Sequence, residues 1–123
     1  MNKKLSIEEL LAIPDASDET LDIEIPGYGE VTIQAISLAR HREMREESFK
    51  GDKFNEARWY TLLLKHGIVE PELSFDEAAA MANKRVGLVD DILASILRIS
   101  GLTRTGNISK EAVDESEESF RQE

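Results

Sequence analysis

The sequence predicts a mostly helical α+β domain, in which a β-hairpin packs on a bundle of about four helices, and three observations point there. Leu21, Ile23 and Ile25 alternate with Asp22 and Glu24, and beyond Pro26-Gly27-Tyr28-Gly29 the residues Val31, Ile33 and Ala35 alternate with Thr32 and Gln34. Leu88, Val89, Ile92, Leu93, Ile96 and Leu97 fall on one stripe at helical spacing. Ser6 with Glu9, and Ser74 with Glu77, are Ser-x-x-Glu capping boxes, which mark helix starts.

In chain order, the first box opens a short helix over 6–13, ended by Pro14. The turn-rich "PDASDET" leads into the hairpin at 20–36, whose apolar face must pack on something because a lone hairpin is marginal in water. Ser37 is placed to cap a solvated helix over 37–49 with sparse apolar positions, Leu38, Met44 and Phe49. The helix expected at 53–66 carries Phe54, Ala57, Trp59, Tyr60, Leu62, Leu63 and Leu64 over more than half its circumference, and so belongs in the core. Helices at 74–84 and 86–100 follow. Gly67 and Gly101 each read as the left-handed residue after a helix, bringing Ile68 against Leu63 and Leu102 against Leu97. The globular part is expected to span 1–104, with 105–123 an acidic tail, mobile or loosely helical.

The chain has 123 residues, a length suited to one core. With 25 acidic and 15 basic residues its formal charge is −10, which argues against nucleic acid and anionic membranes as partners. It contains no cysteine, so disulfide and thiolate metal chemistry are excluded. The opening residues lack the apolar core of a signal peptide, and the reading is a cytoplasmic protein.

Catalytic constellations are sparse. His66, with Glu70 and Glu72 nearby, is the one cluster that could form a hydrolytic site, but His66 also stands in the last turn of a helix, where a cation is favoured by the free carbonyls. His41 lacks a second ligand at metal-binding spacing and reads as helix surface. Asp90-Asp91 and Glu46-Glu47 are sequence neighbours that face different directions on a helix. Arg40, Arg42 and Arg45 are interleaved with Glu43, Glu46 and Glu47, the pattern of an exposed ion-pair face. The Gly-Tyr-Gly at 27–29 precedes a strand and not a helix, which defeats a phosphate-loop reading. No catalytic, cofactor or metal residues are assigned, and the protein is expected not to be an enzyme.

The order of these elements resembles the tail assembly chaperones of long-tailed bacteriophages and prophages, including the group related to the Bacillus defective-prophage chaperone. The resemblance is carried by Ile36-Ser37 at a strand-to-helix junction, by Gly67-Ile68 with Pro71, Leu73 and Ser74, and by Ile96 with Ile99-Ser100-Gly101-Leu102. It covers 21–103 and rests on structural punctuation. What it implies is a non-catalytic protein of the bacterial host cytoplasm that binds the tape measure protein, keeps its apolar helices soluble and helps recruit the major tail tube protein. In many members of that family a ribosomal frameshift also yields a longer product. The partner-binding residues expected on the two most apolar helices are Trp59, Tyr60, Leu63, Leu88, Ile92 and Ile96. Self-association, a tendency of that family, is a further expectation that the breadth of the apolar surface from Phe54 to Leu64 also suggests.

The rival reading comes from the charge: an acidic regulatory module, an antitoxin or nucleic-acid-mimicking inhibitor, that sequesters a basic partner. Carboxylates spaced along one face would favour mimicry, and an exposed apolar groove would favour the chaperone.

Overall fold

The computed structural model describes residues 3–102, so the expected tail at 105–123 lies outside the described residues. A short helix α1 (Ile7–Leu11) and a 3₁₀ turn (Ala16–Asp18) precede strands β1 (Thr20–Ile25) and β2 (Gly29–Gln34). Helix α2 (Leu38–Ser48) is followed by a small hairpin of β3 (Phe49–Lys50) and β4 (Lys53–Phe54). Then come α3 (Glu56–Gly67), β5 (Ile68–Glu70), α4 (Phe75–Ala80), a second 3₁₀ turn (Met81–Asn83) and α5 (Val86–Ile99). The mostly helical α+β class is therefore as predicted.

The first hairpin pairs Leu21 with Ile33 and Ile23 with Val31, as the alternation requires. Its turn closes with the Tyr28 amide donating to the Ile25 carbonyl at 2.9 Å. Pro26 stands second and Gly27, with φ +87°, third, which is type II turn geometry. Both capping boxes form: Ser6 and Glu9 exchange side-chain-to-amide bonds, as do Ser74 and Glu77. Ser37 caps α2 by accepting from the Arg40 amide. At the end of α5 the Leu102 amide donates to the Leu97 carbonyl and the Gly101 amide to that of Arg98, with Gly101 at φ +73°, a complete Schellman closure.

Four expectations need correction. The helix expected from 53 starts only at Glu56, because Asn55 is the residue whose side chain accepts from the Arg58 amide. Lys53 and Phe54 instead pair back onto Lys50 and Phe49, with the two phenylalanine rings 5.3 Å apart. Residues 68–70, expected only as the chain leaving a helix end, form a third strand that pairs with β2, giving the order β1-β2-β5. Gly67 is not a left-handed cap but a helical residue beside Ile96, and Ile68 pairs with Ile33 in the sheet. The fourth predicted helix, 74–84, is also shorter, turning 3₁₀ at Met81.

Helix α3 is the centre of the packing. It meets α2, α4, α5, β2 and β5, so the broad apolar surface that suggested another chain is covered from within this one. Trp59, Leu62, Leu63 and Leu64 are buried there with Ile33, Met44, Ile68, Ile92 and Ile96.

Candidate binding surface

The structure separates the residues expected to bind a partner. Trp59, Leu63 and Ile96 are 2% exposed or less and belong to the core, which corrects the expectation that they present a surface; Ile92 is also a core residue, 2% exposed, and reaches the surface only as lining of the hollow described below. Tyr60 and Leu88 are half-buried. The reason is geometric: a wide or regular apolar stripe shows that a helix face must be covered, and here the covering elements are in the same chain.

The uncovered apolar surface lies elsewhere. Helix α5 packs on β2, where Ile33 is fully buried, and leaves Ile23 and Ile25 on the outer strand β1 only half covered. Between β1 and the first half of α5 runs a hollow of about 590 Å³ that Ile23, Ile25, Leu88 and Ile92 line, with Glu24 and Asp91 on its walls. A second hollow of about 540 Å³ shares Ile25, Arg85 and Leu88 with the first and continues past Tyr28, Met81 and Lys84. Val86, 86% exposed, lines the first hollow, and Tyr28, 80% exposed, lines the second. Neither side chain fills a core position, and both were passed over in the sequence: Tyr28 sits inside a turn, and Val86 precedes the first residue of the amphipathic stripe.

A second apolar surface is α1. Its capping box defines the helix locally, yet Leu5, Ile7, Leu10, Leu11 and Ile13 are all more than half exposed and the helix buries nothing. A five-residue helix has too few hydrogen bonds to gain much from propensity, so a face of this kind is stabilised chiefly by what it packs against.

The residues weighed as chemistry are placed as follows. His66 is half-buried at the end of α3 and lines a polar hollow of about 300 Å³ with Ser17, Gln34, Ser37 and Arg40, to which neither Glu70 nor Glu72 contributes. Its backbone carbonyl accepts from Gln34 Nε2 at 2.9 Å. Burial, reinforced by the charges of Arg40 and Lys65, lowers the His66 pKa, which works against the cation expected at a helix end. His41 is not simply surface either: its ring stands edge-on to Trp59, 5.5 Å away. Arg40 is paired with Glu43 at 2.9 Å on the exposed face of α2, as the interleaved charges predict. Glu77 and Glu9 have lowered pKa values, Glu77 through its bonds to Ser74 and Glu9 through Lys3 and then Ser6, so these carboxylates serve helix starts. Among the described residues no group of three or more His, Asp and Glu side chains is arranged to hold a metal ion. No helix among them is long and apolar enough to cross a membrane.

Comparison with known proteins finds no matching family model, no matching curated protein and no matching solved structure.

Proposed function

We propose that this protein is a non-catalytic tail assembly chaperone that binds the tape measure protein, keeps it soluble in the host cytoplasm and helps bring up tail tube subunits. The observation that carries the reading is the open apolar groove between β1 and α5 on a chain of net charge −10. A concave apolar surface takes an amphipathic helix by its i, i+3/i+4, i+7 face, and a strongly charged carrier keeps the resulting complex in solution. The junctions at Ile36-Ser37, Gly67-Ile68 and Ser100-Gly101 that carry the family resemblance fall at strand and helix boundaries, which is where punctuation of that kind acts. The mechanism is masking: burial of a client's apolar stripe contributes roughly 25 cal/mol per Å² removed from water, without any bond being made or broken.

The test is co-expression with a tape measure protein, the client that this reading assigns. The soluble fraction of that protein should rise several-fold, and an unchanged fraction would sink the reading.

The acidic-module reading is favoured by one observation. Glu24 faces Glu30 across β1 and β2, and Asp22 shares their face. Like charges directly opposite one another are destabilising, which leaves this face open to a basic partner. The row is short, and Thr32 already donates to Asp22 at 2.6 Å, so this reading ranks second.

A further inference from the structure

We propose that the groove between β1 and α5 selects one kind of helix: an amphipathic segment with acidic side chains at one end and basic side chains at the other. The inference deepens the chaperone reading and rests on it for the source of that helix. The two hollows share Ile25, Arg85 and Leu88 in their linings, so they lie side by side along β1 and the start of α5. The groove's charges are divided along its length. Lys84 and Arg85 stand at the end beside the second 3₁₀ turn, and Asp91 flanks the other part. Among the described residues neither Lys84 nor Arg85 is in an ion pair, so both cations are available to a partner.

The dimensions set the length of the occupant. From Val86 to Ser95 the α5 wall extends about 13.5 Å at 1.5 Å per residue, roughly two and a half helical turns. An occupant of that length places two or three apolar side chains on the floor made by Ile25, Leu88, Ile23 and Ile92. Its carboxylates then meet Lys84 and Arg85, and its ammonium or guanidinium groups meet Asp91. Opposed charge at the two ends fixes which way round the helix lies and rejects segments of one sign, since like-charge contacts penalise the wrong partner. A uniformly basic segment, which the net charge of the chain would otherwise attract, is turned away by Lys84 and Arg85.

The test uses the full chain and three fluorescently labelled peptides of about four turns with the same leucine stripe. One carries Glu at one end and Lys at the other, one carries Lys throughout and one Glu throughout. The divided peptide should bind about tenfold tighter than either uniform one, a difference of about 1.4 kcal/mol. In the Lys84→Glu, Arg85→Glu double variant, whose changes are at exposed positions, the divided peptide should lose that advantage and the all-Lys peptide should gain. Equal affinity for all three peptides, preference for the all-Lys peptide by the unaltered chain, or indifference to the double variant would each overturn the proposal. So would a mass that grows with concentration together with peptide binding seen only after removal of residues 1–13, because the groove would then belong to α1 of a second copy. Selective peptide binding without any rescue of the tape measure protein would overturn the chaperone reading and leave the groove assigned. Rescue untouched by the double variant would do the reverse.

Discussion

Ile96 lies against the backbone of Gly67 so closely that a β-carbon there would stand 2.5 Å from its Cδ1 and 2.7 Å from its Cγ2. The close approach of α3 and α5 therefore requires glycine at 67 for reasons of space, with no positive φ involved. Gly67→Ala should destabilise the fold by about 1–3 kcal/mol through overpacking, although alanine is the better helix former by about 1 kcal/mol. Ile96→Ala alone should cost about 2–5 kcal/mol. In urea denaturation the double variant should lose clearly less than the sum of the two, since each change makes room for the other. Strict additivity would show that the contact is not what constrains this position.

Trp59 is buried in the core, and its indole Nε1 has no hydrogen-bond partner among the described residues. A buried donor without a partner is a standing penalty, so removing it recovers part of what the lost volume costs. Trp59→Phe should therefore destabilise far less than Trp59→Ala, for which about 3–5 kcal/mol is expected. As the only tryptophan, Trp59 also reports on itself. Its emission should be blue-shifted and resistant to iodide, and a red, readily quenched signal would return it to the surface.

What could be read from the sequence was what closes within a few residues. Ser6 with Glu9 and Ser74 with Glu77 carry both halves of each cap in four positions, and the hairpin register follows from alternation around one Pro-Gly turn. Gly101 also obeyed a local rule, because its Leu102 partner bonds back to Leu97 in the same helix. Gly67 sits in similar local text, but its neighbour is Ile96, 29 residues away, and only tertiary packing could separate the two cases. The strand at Ile68–Glu70 is three residues long and pairs with a distant partner, so no periodicity could announce it. The groove was legible only through Leu88 and Ile92, since a stripe marks which side chains want cover and not which of them find it.

His66 gives stability a pH dependence of known sign. Its folded pKa is lowered from 6.5, chiefly by burial and then by Arg40 and Lys65, so the unfolded chain binds the proton more readily. The associated stability is fully present above about pH 6.5 and is lost as pH falls below it toward the folded value. Chemical denaturation between pH 7.5 and 5.5 should show that decline, and His66→Gln should flatten it. A decline of equal slope in the variant would move the effect to other groups.

The amino-terminal helix should be dispensable for folding. A capping box and Lys3 with Glu9 hold α1 together locally, but none of its side chains is buried, so the core does not register its presence. Removal of residues 1–13 should change the free energy of unfolding by no more than about 0.5 kcal/mol, the range of ordinary surface changes. It also strips away Leu5, Ile7, Leu10, Leu11 and Ile13, which are the largest run of exposed apolar side chains among the described residues. Binding of a hydrophobic dye should fall accordingly, because such dyes report apolar surface that solvent can reach. The comparison discriminates between an appendage and an integral element: a loss above about 2 kcal/mol is the signature of deleted core contacts, and would mean that α1 docks on the domain in solution. Unchanged stability with reduced dye binding would instead establish α1 as an apolar segment held out for a partner.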